Sequence, residues 1–287
     1  MVRFKRQPKG PGRLIDRRGS GGTGLKIGGA GGGAALIVVL LIMFLGGGSG
    51  LGDLTEVLAP VEAPASGEAP LDPANDPDSD LVGFLEDVLQ DSQAMWSRIF
   101  ERSDLSYRAT DLVVFNGLTQ SGCGGAYAQV GPHYCPLDDR VYMDLDFLEQ
   151  LQARFGATGD TAQAYIVAHE VGHHVQNLLG VLDELNRIRT EDPDSANEAS
   201  IAVELQADCF AGVWLSTLRS GDSAAVLEEN DLDEAMNAAS AVGDDSIQRE
   251  TTGRVDPETW THGDSEQRLE WLMTGFESGQ PDQCQTS

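Results

Sequence analysis

Residues 160 to 180 read DTAQAYIVAHEVGHHVQNLLG. Asp160 and Gln163 form a capping-box-like pair at the front, Gly180 supplies a stop, and residues 161–179 between them read as a helix of about five turns. Inside it, His169-Glu170-Val171-Gly172-His173 sets two imidazoles four residues apart. That spacing stacks them on one helix face, near enough to share a tetrahedral zinc ion, and Glu170 lies beside that face within reach of a water on the metal. The chain has five histidines, and three of them fall in this turn and a half. His174 is rotated by about 100° from the pair, which makes it a helix-surface residue or a partner of the ligands.

A catalytic zinc site takes three protein ligands and leaves a fourth position for water. Thirty-one residues after His173 comes Glu204-Leu205-Gln206-Ala207-Asp208. It lies on a helix opened by Ser195 with Glu198, running through Ile201, Leu205, Phe210, Val213 and Trp214 to Gly221. Glu204 and Asp208 are four apart and point the same way, so one can ligate zinc while the other accepts the ring N–H of a ligating histidine. We assign Glu204 to the metal and Asp208 to the histidine. His133, between Pro132 and Tyr134, reads as a strand-end residue. No Ser-His-Asp grouping, P-loop or dinucleotide-binding glycine pattern occurs in a suitable setting.

HEVGHH followed by ELQADCFAGVW, with SGCGGAY and HYCP upstream and THGDSEQR downstream, resembles the bacterial neutral zinc metallopeptidase family of membrane-anchored proteins. The likeness covers nearly the whole folded part and includes the basic, Gly-rich front and its apolar segment. It implies a zincin-like fold, a zinc cofactor and a peptide or protein substrate. A more distant resemblance is to membrane-associated gluzincins, which pair HExxH with Glu-x-x-x-Asp and a later Thr-His-Pro. Thr261-His262 matches that last motif, whereas Gly263 stands where the proline would be. On this reading water activated by zinc attacks a peptide carbonyl, Glu170 is the general base, and His262 donates a hydrogen bond to the oxyanion. Tyr142 or Tyr134 is the fallback donor, and His262 has the alternative of occupying the open zinc position in a resting state. The substrate would lie extended along a sheet edge such as residues 140–145. The rival reading is a catalytically silent or latent zinc-containing binding module of the cell envelope, against which Glu170 argues, since a structural metal has no use for that carboxylate.

Around these motifs the pattern is α+β, mostly helical, in one domain over residues 80–287. Asp80 opens a helix with apolar positions Leu81, Phe84, Leu85, Val88, Leu89, Trp96 and Ile99. Residues 111–115, 126–130 and 140–145 read as short strands of a small sheet, and 146–155, 231–242 and 264–277 as helices. Cys123 and Cys135 flank a Gly-rich loop, while Cys209 and Cys284 lie far apart. Three connectivities are possible; the loop favours Cys123 with Cys135, which leaves Cys209 with Cys284. No CxxC occurs, which removes a cysteine zinc cage.

The 287 residues carry a formal charge of -27, distributed unevenly. Residues 1–52 hold eight Lys/Arg against one acid, and residues 53–287 hold 11 Arg, no Lys and 45 acids. Nothing in the acidic part could neutralise phosphates as a patch, so nucleic-acid binding is excluded there. Residues 1–29 are expected to be a disordered, basic, Gly-rich tail in the cytoplasm. Residues 30–50, centred on the wholly apolar Ala34–Leu45, are expected to be a single membrane anchor. A signal-peptide core is the competing reading; the long basic region and the lack of a small-residue cleavage site behind Leu45 favour the anchor. Residues 51–79, with five prolines among Ala and acids, make an extended linker. Positive charge stays inside, so the folded domain is expected outside the cytoplasm, where an even cysteine count suits disulfides. Neither oligomeric state nor side-chain preference is written in the sequence.

Overall fold

The structure is a computed structural model, and it describes residues 10–18, 75–127, 131–221, 223 and 225–286. The expected anchor, and most of the linker, lie outside the described residues. The protein is mostly helical with a small mixed sheet.

The strands are β1 (Leu14–Asp16), β2 (Asp111–Phe115), β3 (Leu118–Ser121), β4 (Gly124–Tyr127), β5 (His133–Cys135) and β6 (Arg140–Asp144). Four of them form one sheet in the order β1-β2-β6-β5, with β1, β2 and β6 parallel and β5 antiparallel to β6. β3 and β4 pair separately as a hairpin. β2 and β6 are buried on both faces: Leu112, Val114, Val141 and Met143 face the main core, and Val113, Phe115 and Tyr142 a second cluster. Period-two alternation produces this division, and the apolar runs DLVVF and RVYMD allow it.

The helices are α1 (Ser79–Arg102), α2 (Leu145–Phe155), α3 (Asp160–Leu178), α4 (Val181–Glu191), α5 (Ala196–Ser220), α6 (Asp231–Ala241), α7 (Asp244–Thr252) and α8 (Ser265–Ser278). α3 runs through the centre of the core, and α5 packs beside it. By length and composition the stretch Pro193–Ser220, which includes α5, could cross a membrane, but most of it is buried, as expected of a core helix. Disulfides join Cys123 to Cys135 and Cys209 to Cys284. The first fastens the β3–β4 turn to β5, and the second ties the C-terminal end to α5.

Several expectations need correction. The basic front is not wholly disordered, because residues 14–16 pair with Leu112–Val114 as β1. Strands β3 and β5 and helices α4 and α7 were not anticipated. β4 ends at Tyr127, and residues 128–130 lie outside the described residues. Neither capping box on the long helices forms. Gly159, with φ 103°, precedes α3 without a side-chain cap, and Ser195 Oγ donates to Asp192 Oδ2 at 2.8 Å instead of capping α5. A full box does open α8, between Asp264 and Gln267. β6 cannot accept an added strand, because β2 and β5 occupy its two edges; β5 is the outer strand.

Candidate metal centre

Helical spacing brings His169 and His173 together on α3, with ring centroids 4.7 Å apart and planes at 88°. Glu204 reaches them from α5. Its Oε2 lies 3.2 Å from His169 Nε2 and its Oε1 3.5 Å from His173 Nε2. Ligand atoms of these three residues all lie within 4.8 Å of one another. Two ligands held at ~2.0–2.1 Å by a tetrahedral zinc ion are themselves ~3.3 Å apart, so the separations suit that ion.

The outer nitrogens of both rings are engaged. His169 Nδ1 meets Asp208 Oδ1 at 2.8 Å, and His173 Nδ1 meets Gln176 Oε1 at 2.8 Å. Acceptors on Nδ1 fix the proton there in the neutral ring and leave the Nε2 lone pair facing Glu204. A lone pair against a carboxylate is repulsive unless a proton or a cation lies between them. Burial lowers the basicity of His169, but the Asp208 charge and hydrogen bond, with help from Glu204, outweigh it and carry the pKa up to about 9. Burial likewise pushes Glu204 up, yet the imidazoles of His173, His169 and His262 hold its carboxyl well below the usual range. The site therefore keeps a carboxylate ionised and two imidazoles aimed at it, which is a donor set fit for zinc.

Asp208 is fully buried at the junction of three helices. It accepts from the Tyr165 hydroxyl and from Arg268, whose Nε lies 2.7 Å from Oδ2 and Nη2 2.9 Å from Oδ1. Burial raises its pKa, while the charges of Arg268 and His169 lower it by more. Asp208 thus orients His169 and is itself fixed by α8.

Glu170 is buried beside the pair and lines a cleft of about 370 Å³ that also exposes His169, His173 and Glu204. Its Oε2 has no hydrogen-bond partner among the described residues. An unsatisfied buried carboxylate oxygen is costly, so its place at the wall of a cleft calls for a partner supplied from outside.

His262 lines the same cleft. Its Nδ1 lies 3.1 Å from Asp244 Oδ1, and its backbone N–H donates to Asp244 Oδ2 at 2.7 Å. Burial lowers its pKa, but the Asp244 hydrogen bond and the Glu204 charge raise it by more. Gly263 has φ +86°, which proline cannot adopt, and its carbonyl accepts from Asp244 N at 2.9 Å. The departure from Thr-His-Pro therefore follows from the turn that brings Asp244 under His262.

The other expectations fare differently. Tyr134 lines the cleft, but its hydroxyl donates to Asp139 at 2.9 Å and takes up Asn177 and His174 as further partners. The Tyr142 hydroxyl donates to Asp138 at 2.6 Å. Neither tyrosine is left as a fallback donor. His174 is not on the helix surface: it is fully buried, with Nε2 2.6 Å from the Arg108 carbonyl and Nδ1 3.0 Å from Tyr134 Oη. It braces α3 against the segment before β2. His133 begins β5, stacked on Tyr142 at 5.1 Å. Sequence reading missed Tyr165, Gln176 and Asp244. The first two carried a signal, since they lie four before His169 and three after His173 on the same helix. Asp244 carried none, being brought to the site by tertiary folding alone.

A family model described as "putative neutral zinc metallopeptidase" matches residues 3–287. The chain is 43% identical over 210 residues to the uncharacterized protein YpfJ of Escherichia coli K12, covering 73% of this chain and 72% of that protein. It is 44% identical over 188 residues to the uncharacterized protein Rv2575 of Mycobacterium tuberculosis H37Rv, covering 63% of each. No solved structure matches the chain.

Proposed function

The chain belongs to the neutral zinc metallopeptidase family, and from that premise we propose that it hydrolyses peptide bonds with zinc held by His169, His173 and Glu204. The observation that carries this reading is the facing of two Nε2 atoms, each with its Nδ1 engaged, onto one carboxylate beside a buried Glu170 oxygen that lacks a partner. Zinc bound there would supply Lewis acidity towards a carbonyl and would lower the pKa of water to ~7.

The protein's own groups do the rest. Glu170 Oε2 takes the proton of the attacking water and returns it to the leaving nitrogen. Asp208 holds His169 in one tautomer and orientation, and Gln176 does the same for His173. His262, steadied by Asp244 and kept basic by its surroundings, donates towards the oxygen on which negative charge develops. The substrate backbone adds to β5, the outer strand of the sheet, whose His133 and Tyr134 line the cleft.

The test uses the purified full chain, with zinc content measured beside cleavage of a mixed peptide pool. One zinc per chain is expected. His169→Ala and His173→Ala should lose it, and Glu170→Gln should keep it while cleavage falls by several orders of magnitude. Equal cleavage by Glu170→Gln would overturn the mechanism. Zinc bound stoichiometrically by a wild-type chain that cleaves nothing would favour the silent binding module.

A further inference from the structure

The cleft contains a cation that the chemistry above does not use. Arg189, on α4, lines it, and its Nη2 donates to Ser200 Oγ at 3.0 Å. Ser200 precedes Glu204 by one turn of α5, which places that hydrogen bond about 5–6 Å along the helix from the carboxylate of the metal centre. Arg268, the other arginine of the cleft, is buried and committed to Asp208. Arg187, two residues before Arg189, is clamped between Glu184 and Glu191. No carboxylate among the described residues lies within ion-pair distance of Arg189, although residues 53–287 hold 45 acids against 11 arginines. Arg102, Arg219 and Arg254 also lack an ion pair among the described residues, but of these arginines only Arg189 lines the cleft, about one helical turn from Glu204. Leu182, Leu185 and Val203 line the cleft with it. Arg189 is itself exposed, which leaves its guanidinium open to a ligand, and a charge-assisted, bidentate pair there would be strengthened as the ligand covers it against these apolar side chains.

We propose that Arg189 anchors a carboxylate of the bound peptide, so that this cleft selects substrates carrying an Asp or Glu side chain, or a free C-terminus, on the Ser200 side of the scissile bond. The proposal rests on the peptidase reading for its substrate class, and its test reads binding rather than turnover. Three hydroxamate-capped dipeptides serve as probes: one with a free C-terminal carboxylate, one with a C-terminal amide and a Glu side chain, and one with a C-terminal amide and a Gln side chain. Each is titrated by calorimetry into the zinc-loaded full chain and into its Arg189→Gln variant, whose melting temperature checks that it folds.

At least one carboxylate probe should bind wild type about 10-fold or more tightly than the neutral probe, and whichever it is identifies the source of the carboxylate. In Arg189→Gln that preference should shrink to less than about 2-fold, and in Arg189→Glu it should invert. Equal affinities in wild type, or a preference that survives Arg189→Gln, would overturn the proposal. A preference abolished by Arg189→Gln in a protein that cleaves no peptide would uphold the anchor and sink the peptidase reading. Failure of all three probes to bind would overturn both.

Discussion

Asp208 shows how much one buried charge can organise. It receives the Tyr165 hydroxyl, the His169 ring and two nitrogens of Arg268 at once, with no exposure to solvent. Replacing it with Asn keeps the volume and removes the charge, which leaves the buried Arg268 guanidinium with Glu204, 4.0 Å away, as its one carboxylate among the described residues, beside the neutral Val242 carbonyl and Tyr165 hydroxyl. Breaking a buried pair in this way costs about 3–5 kcal/mol. At ~2–4 °C per kcal/mol for a domain of this size, Asp208→Asn should melt roughly 10 °C below wild type. Zinc affinity should fall by ~10–100-fold, the usual cost of losing a group that orients a ligand. Glu204→Gln should reverse the pattern, losing more zinc affinity and less stability. Thermal unfolding and chelator competition on the two variants read both quantities, and the opposite order would exchange the roles of the two acids. The pair was legible in sequence because four-residue spacing on a helix needs no tertiary knowledge. The surroundings of His174 were not: a helix period gives the direction of a side chain, and only packing decides whether core or solvent lies that way. Here Tyr107 and Tyr134 lie there.

At the scale of elements, α5 and α8 approach so closely that each presents a glycine to the other's backbone. A Cβ on Gly275 would fall 1.9 Å from the Cys209 carbonyl oxygen, and one on Gly212 would fall 2.0 Å from that of Leu272. This contact sets the depth of α8 against α5 and hence the reach of Arg268 to Asp208. Gly275→Ala gains helix propensity of at most ~1 kcal/mol but must push the helices apart, an overpacking cost of ~1–3 kcal/mol or more. The variant should therefore melt several degrees lower and bind zinc more weakly, although residue 275 touches no ligand. A melting point at or above that of wild type would show that the crossing yields easily. The long helices were readable because apolar residues recur along them, and a glycine stops both α3 and α5. α4 follows α3 directly after Gly180 and buries only Leu185, and α7 spans nine residues and buries no apolar side chain, so neither carries a core-facing stripe that sets it apart from its neighbours. β5, with three residues, is identified by its partner β6 rather than by its own sequence.

On the scale of the whole molecule, β1 bears on where the protein sits. Residues 10–18 are bonded into the folded domain from several sides. Leu14–Asp16 pair with β2, Gln90 Nε2 donates to the Gly12 carbonyl, and the Arg13 backbone N–H donates to Asp111. The Arg18 side chain, 3% exposed, meets Asp16, Asp76 and Asp78. Paired strands lie ~4.8 Å apart and a bilayer core is ~30 Å thick, so β1 and β2 occupy one side of any membrane. A single crossing between residues 18 and 75 would part them. The basic front that suggested a cytoplasmic N-terminus is also less free as a topological signal than its composition implies. Arg13 and Arg18 are paired with carboxylates, and Arg17 donates to the Gln120 carbonyl and lies over Tyr142. The positive-inside rule concerns charges beside a span, whereas these serve the domain's own fold. Cysteines introduced singly at the exposed positions Pro11 and Thr190 should therefore react alike with a membrane-impermeant maleimide in intact cells that express the full chain. The two disulfides favour reaction at both sites, since such bonds persist in oxidising compartments. Labelling at Thr190 alone would place a membrane between β1 and β2, and would mean that the chain reaches its working location without the pairing that completes its sheet.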